Sequence, residues 1–138
     1  MTLASDARFL QALGSARSAA LCAYVLEPGG AVVRALAAAA QRGAAVRVEL
    51  DGVPYDPEGT GALARENRRV AAGLRAAGAS VELTPPGAPL LHLKGAMVDG
   101  TAFLDDRNWP GDGRDTIVET SDADDVAALG AALDDRPG

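Results

Sequence analysis

The apolar period of this chain alternates between about two residues and about 3.6 residues along its first 83 positions, and few architectures accept that alternation. Residues 19–26, AALCAYVL, are a short apolar run closed by Glu27-Pro28-Gly29-Gly30, which reads as a buried strand. Residues 31–42 place Val32, Val33, Leu36, Ala39 and Ala40 on one helical stripe that stops at Gly43. Residues 45–50, AVRVEL, alternate again, with Val46, Val48 and Leu50 on one strand face. A long loop, residues 51–59, precedes a third helix over 61–77. Leu63, Val70, Leu74 and Ala77 face inward on it, and Gly78 is its stop. Residues 80–83, SVEL, make a short strand.

The remaining elements follow from turn chemistry. Ser5 is placed to cap a first helix over 6–13, with Asp6 near its positive end and Gly14 as the stop. Pro85, Pro86 and Pro89 interrupt regular structure. Residues 90–99 and 101–104 read as a hairpin turned at Asp99-Gly100. Residues 107–114 are a loop and 115–119 a strand. Asp122 caps a last helix with Val126, Leu129 and Leu133 inward, and Asp134–Gly138 is read as a frayed end. The order predicts one layered α-β-α domain over residues 1–138, built on a mixed, mostly parallel sheet, with no repeat and no linker.

Composition narrows the function. The chain has 138 residues, 30 of them Ala, one Ile and 4% aromatic, so its core is built from Ala, Leu and Val. One cysteine, Cys22, excludes a disulfide scaffold. The longest uncharged apolar run lies between Arg17 and Glu27, far below the roughly 18 residues of a membrane span. Residues 1–75 carry net +2 and residues 76–138 net −8, which disfavours an all-over basic nucleic-acid coat but not a local basic patch. MTLASDARFL lacks a basic stretch followed by an apolar core, and with a lone cysteine this leads us to expect a cytoplasmic protein.

The chemistry concentrates in Leu91-His92-Leu93-Lys94-Gly95-Ala96-Met97-Val98-Asp99-Gly100. In an extended segment His92 and Lys94 share a face, while Leu91 and Leu93 face the core. An imidazole beside an ammonium is an anion site with a nucleophile or general acid in it. A His-x-Lys pair is more often just a solvated strand face. Here twelve of the thirteen basic residues are Arg, so a position that keeps Lys calls for a compact ammonium.

At these residues the chain resembles the phospholipase D superfamily, whose signature reads His-x-Lys-x4-Asp-x6-Gly-Ser-x-Asn. His92, Lys94 and Asp99 match its first part, Asn108 its closing Asn, and Trp109 the aromatic that often follows. The upstream run Gln41-Arg42-Gly43-Ala44-Ala45-Val46-Arg47-Val48 also fits the family's order of helix, basic residue, Gly and strand. The resemblance covers roughly residues 17–133. It departs at the Gly-Ser position, which is one residue closer to Asp99 and is occupied by Asp105 and Asp106.

The resemblance implies a metal-free, cofactor-free phosphodiesterase that hydrolyses a phosphodiester or transfers a phosphatidyl group. His92 would attack phosphorus to form a phosphohistidine, with Asp115 orienting it. Lys94 and Asn108 would neutralise the non-bridging oxygens. Asp106, Arg107 and Trp109 fall where the family holds substrate, and Asp99 is expected to shape the turn. Two carboxylates at 105 and 106 would repel an anion unless they turn away or pair with Arg107 or Arg114; as a turn they need no direct role. The chemistry uses two imidazoles and this chain has one. That implies a homodimer, with Leu90 to Val98 helping to form the interface, or one half of a larger unit. Small endonucleases are among the single-motif members. Phospholipid, nucleic acid and small phosphodiesters all remain candidate substrates. So does a second function, an impaired domain that binds phosphate or nucleic acid, or acts as a scaffold.

Three other features stand apart. Arg65, Arg68 and Arg69 share one face of the third helix, with Arg75 nearby; such a face is more often simply solvated, but it could also meet a lipid headgroup or a nucleic-acid backbone. Cys22 lacks a basic sequence neighbour and reads as core. Tyr24 and Tyr55 are candidates to line a pocket, although Tyr24 falls in an expected buried strand.

Overall fold

The computed structural model describes residues 2–88, 94–109 and 117–134. Within them the chain runs β1 (Thr2–Ala4), α1 (Asp6–Gly14), β2 (Ser18–Ala23), α2 (Ala31–Gln41), β3 (Ala45–Leu50), α3 (Ala62–Ala77), β4 (Ser80–Leu83), β5 (Gly95–Val98), β6 (Thr101–Leu104), β7 (Ile117–Thr120) and α4 (Ala123–Asp134). The strands form one sheet in the order β1-β7-β6-β5-β2-β3-β4. The sheet is mixed, as expected. Only β2–β3 and β3–β4 pair in parallel; the other four pairings are antiparallel, which still leaves five of the seven strands pointing the same way.

Alternation along the strands divides the interior in two. Ala19, Leu21 and Ala23 of β2, with Val46, Val48 and Leu50 of β3, meet Phe9 and Leu13 of α1, Val32 and Leu36 of α2, and Val70 and Leu74 of α3. Cys22 of β2 and Ala102 of β6 face the other way, against Leu129 and Leu133 of α4. The layers are therefore helix, sheet, helix. Alanine at Ala39, Ala40 and Ala71 lets the helices sit close to their neighbours, so truncating Leu36 or Leu74 would leave a cavity and cost about 2–5 kcal/mol.

Local signals account for most boundaries. The Ser5 side chain accepts the Arg8 N–H at 3.1 Å and caps α1. At the other end of that helix the Arg42 guanidinium donates to the carbonyls of Leu13 at 3.0 Å and Ala16 at 3.3 Å, joining the C-terminal end of α2 to that of α1. Asp122 accepts the Asp124 N–H at 3.3 Å at the start of α4. The β5–β6 turn has Asp99 at φ 48° and Gly100 at φ 86°, the left-handed pair a two-residue hairpin requires.

Two expectations change, and two expected strands are described only in part. The first strand ends at Ala23 rather than at 26, because side-chain amides take its next backbone groups, as described below. The expected hairpin strand 90–99 is described from Gly95 onward, and the strand expected over 115–119 runs as Ile117–Thr120; Leu90 to Leu93, Asp115 and Thr116 lie outside the described residues. The edge strand β1 was not expected: three residues carry too little period to register, and only pairing with β7 makes them a strand.

Candidate phosphate site

The site is assembled where β2 ends. Tyr24 donates its N–H to the Asn108 side-chain oxygen at 3.0 Å. Two residues on, Leu26 donates its N–H to the side-chain oxygen of Asn67 at 3.2 Å. The Asn67 amide nitrogen then donates to the Tyr24 carbonyl at 3.0 Å and the Asp51 carbonyl at 2.9 Å. Asn67 is fully buried, so α3 is tied to the ends of β2 and β3 by one side chain with three satisfied bonds.

Lys94 reaches the same edge from the other side. Leu21 pairs with Ala96, and continuing that antiparallel register by two steps sets Lys94 beside Ala23. Its carbonyl accepts the Asp105 N–H at 2.9 Å, and its side chain is half-buried. Lys94 and Asn108 thus flank the end of one central strand. Asn108 binds Tyr24 through its oxygen, so its amide NH2 points away from that bond, and it makes no hydrogen bond among the described residues.

The loop that presents Asn108 is strained and held. Asn108 and Trp109 have φ of 58° and 57°, and a bulky residue in that region costs about 1–3 kcal/mol. Three contacts offset this cost. The Trp109 ring stacks on Phe9 at 4.6 Å between centroids, its Nε1 donates to the Cys22 carbonyl at 3.1 Å, and its N–H donates to the Asp105 carboxylate at 2.5 Å. Phe103 completes the cluster edge-on to Phe9 at 5.0 Å. Trp109 is 3% exposed, so its ring serves as an anchor in the core and not as the substrate contact its position suggested.

The two acids at the Gly-Ser position part ways. Asp105 turns back onto its own loop through the Trp109 N–H. Asp106 is largely exposed and lies 3.7 Å from the Arg107 guanidinium, a surface pair of small energetic value. Asp99 sits at the opposite end of β5 from Lys94. There its carboxylate accepts the N–H groups of Arg17 and Ser18 at 2.9–3.2 Å and fastens the hairpin turn to the start of β2. Cys22 is buried in the second cluster. His92, Asp115 and Arg114 lie outside the described residues. Among the described residues no helix is long and apolar enough to cross a membrane, and no group of three His, Cys, Asp or Glu side chains is placed to hold a metal.

Asn67, Asp51 and the backbone of Tyr24 were missed as parts of this site. A signal existed for Asn67: it interrupts the apolar stripe of the third helix between Leu63 and Val70, and a polar residue there needs partners.

No family model matches the sequence, and no curated protein does. Solved structures match over nearly all of it. Nuc from Salmonella typhimurium, a phospholipase D family member, has a TM-score of 0.72 at 21% identity, over 94% of this chain and 84% of its own. A polyphosphate kinase from Porphyromonas gingivalis has a TM-score of 0.67 at 24% identity, over 95% of this chain and 24% of its own. TrmBL2, an archaeal chromatin protein, has a TM-score of 0.59 at 14% identity, over 94% of this chain and 46% of its own. The fold is the one these structures share, that of a phospholipase D family member among them. The chain spans about a quarter of the polyphosphate kinase.

Proposed function

We propose that the chain is a phosphodiesterase of the phospholipase D type whose active site is completed by a second copy. The observation that carries this reading is the joint placement of Lys94 and Asn108 at the end of β2, with the Asn108 amide NH2 left to donate. A cationic donor and an N–H donor at the same strand end suit the two non-bridging oxygens of a phosphodiester. In the proposed reaction the His92 imidazole forms the bond to phosphorus while the bond to the leaving alcohol breaks. The alcohol takes its proton from the second copy's His92. Water then enters by the reverse route and releases His92, with Asp115 orienting the imidazole.

The second copy has a surface to use. Leu3 pairs with Val118, and Val118 with Leu104, so the three form a cross-strand row on the α4 face. Leu3 is 67% and Leu104 37% exposed. Leu104 also pairs with Gly95, so the row runs along the Lys94 end of the sheet. The segment expected to help form this interface is less suitable, because Gly95, Ala96 and Val98 are buried in the central strand β5. The proposed compartment remains the cytoplasm, argued from the single cysteine.

The replacement of Gly-Ser by Asp105 and Asp106 favours one other reading, a domain that binds phosphate without turnover. One experiment separates the two: hydrolysis of a chromogenic phosphodiester by the wild-type chain and by His92→Ala. Turnover lost in the variant supports the enzyme. Equal rates in both remove His92 from the chemistry. Phosphate binding with no wild-type turnover favours the binding domain.

A further inference from the structure

The loop at 51–61 is pinned at many points, yet it holds an aromatic ring out in water. Val53 donates its N–H to the Asp51 carboxylate at 2.8 Å, and Gly52 donates to the Thr84 hydroxyl at 3.1 Å. A Cβ at Gly52 would lie 2.1 Å from the Thr84 carbonyl oxygen, so only glycine allows that approach. The Asp56 carboxylate accepts from Glu58 N–H at 3.1 Å, Thr60 Oγ1 at 3.3 Å and Gly61 N–H at 2.5 Å. The Tyr55 N–H donates to the hydroxyl of Tyr24. Tyr55 itself is nonetheless 69% exposed, more than Leu3, Val53 or Leu104, the other exposed large hydrophobic side chains among the described residues.

Tyr24 therefore joins two things. Its backbone N–H holds Asn108, and its hydroxyl holds the backbone of Tyr55. The Tyr55 loop is thereby tied through one side chain to the strand end that Asn108 holds. The loop then runs directly into a basic helix face. The Arg65 guanidinium donates to the Thr60 carbonyl at 2.7 Å, which fixes it at the loop's end. Arg68 and Arg69 follow on the exposed side of α3, with no ion pair among the described residues. Arg75 is committed to the Val81 carbonyl at the far end of the helix.

We propose that Tyr55 and the Arg65-Arg68-Arg69 face form a subsite for single-stranded nucleic acid, with Tyr55 stacking on a base and the arginines following the backbone. The inference rests on the proposed phosphate site at Lys94 and Asn108 and names the substrate class for it. A held aromatic beside arginines is the pairing that binds unpaired nucleotides, because every base offers a ring face. A duplex keeps its bases stacked on one another and cannot use Tyr55. A polymer of phosphate alone has no use for the ring.

The test is equilibrium binding of a fluorescently labelled oligothymidylate to the wild-type chain, Tyr55→Ala, Tyr55→Phe and Arg68→Ala/Arg69→Ala. Stacking worth about 1–3 kcal/mol per base predicts an affinity about 5- to 150-fold lower in Tyr55→Ala and little changed in Tyr55→Phe. The double arginine variant should reduce the slope of log affinity against log salt by about 1.4. The same sequence as a duplex should bind more weakly and be indifferent to Tyr55. Equal affinity in Tyr55→Ala, or tighter Tyr55-dependent binding to anionic lipid vesicles, overturns the subsite. Absence of oligonucleotide binding by a wild-type chain that still hydrolyses the chromogenic diester overturns it too, and leaves the phosphodiesterase reading intact. Thermal melting of each variant separates lost contacts from lost folding.

Discussion

Asn67 and Asn108 accept backbone N–H groups two residues apart, from Leu26 and Tyr24. They are the only asparagines in the chain, and they approach the end of β2 from α3 and from the loop after β6. One is sealed inside and acts as a clamp. The other is half-buried and bound through its oxygen, and its amide NH2 makes no hydrogen bond among the described residues.

Replacing the clamp should be expensive. Asn67→Ala strands the Leu26 N–H and the Tyr24 and Asp51 carbonyls in a buried place, at about 1–3 kcal/mol for each group. We expect a loss of about 3 kcal/mol or more, read as a lower denaturation midpoint at unchanged slope. Asn67→Asp should be no better, because it sets a carboxylate against two carbonyl oxygens. A variant as stable as wild type would show that this end of β2 is held elsewhere.

Turnover should depend on the kind of charge at position 94. His92→Ala should abolish hydrolysis, and Lys94→Ala should lower it by about 10²- to 10³-fold, the usual effect of removing a donor to a developing oxyanion. Lys94→Arg should also fail, since a planar fork does not replace a compact ammonium. Chromogenic diester kinetics decide this, and an active arginine variant would sink the argument drawn from the single lysine.

The two adjacent acids should separate cleanly on substitution. Asp105→Ala removes the acceptor of the Trp109 N–H and should cost about 1–2 kcal/mol in thermal or chemical unfolding. Asp106→Ser should leave stability within about 0.5 kcal/mol. It should raise affinity for inorganic phosphate less than about fivefold, because a solvated carboxylate repels an anion by about 1 kcal/mol at most. A large gain in phosphate affinity from Asp106→Ser would mean that this carboxylate points at the ligand.

Acid should loosen the Tyr55 loop before it unfolds the domain. The Gly61 N–H foremost, with those of Glu58 and Gly59 and the Thr60 hydroxyl, holds the Asp56 carboxyl below its ordinary value. A lowered native pKa means that this contribution is present above the ordinary range near about 4 and is lost as the pH falls through the native value. Hydrogen exchange at the Gly61 and Glu58 amides should quicken in acid. In Asp56→Asn it should already be quick at neutral pH and insensitive to acid.

Self-association should be tied to the Leu3-Val118-Leu104 row. Sedimentation of the wild-type chain should give twice 14.0 kDa, and Leu104→Arg should give the single mass and lose turnover with it. In mixed dimers of wild type and His92→Ala, per-dimer activity should fall by far more than half. A wild-type chain that is monomeric and active would end the shared-site reading.

The helices and the parallel strands were legible because each carries a full period: Val46, Val48 and Leu50 alternate over a whole strand, and Leu36 and Leu74 anchor whole stripes. What was not legible depends on groups meeting across the sheet. The strand expected to continue through Leu26 stops at Ala23 because two amides from distant elements intercept its N–H groups, and no local pattern encodes that. Lys94, Asn108 and the turn at Asp99-Gly100 stood out by identity and spacing. Trp109 was assigned to the ligand side because it follows the closing Asn of the resembled signature, whereas its partners, Phe9 and the Cys22 carbonyl, are about a hundred and about ninety residues away. Tyr55 offered no local sign of its pinned exposure, since the hydroxyl that holds it belongs to Tyr24.

The stacking of Trp109 on Phe9 makes the loop optically self-reporting. Trp109 is the chain's only tryptophan, it adjoins Asn108, and its indole is sealed from water while the loop keeps its left-handed course. Any event that pulls Asn108 out of place must also lift that indole from the Phe9 ring and wet it, moving its emission to the red. The intrinsic fluorescence of an unlabelled sample therefore monitors the geometry of the single loop that presents Asn108.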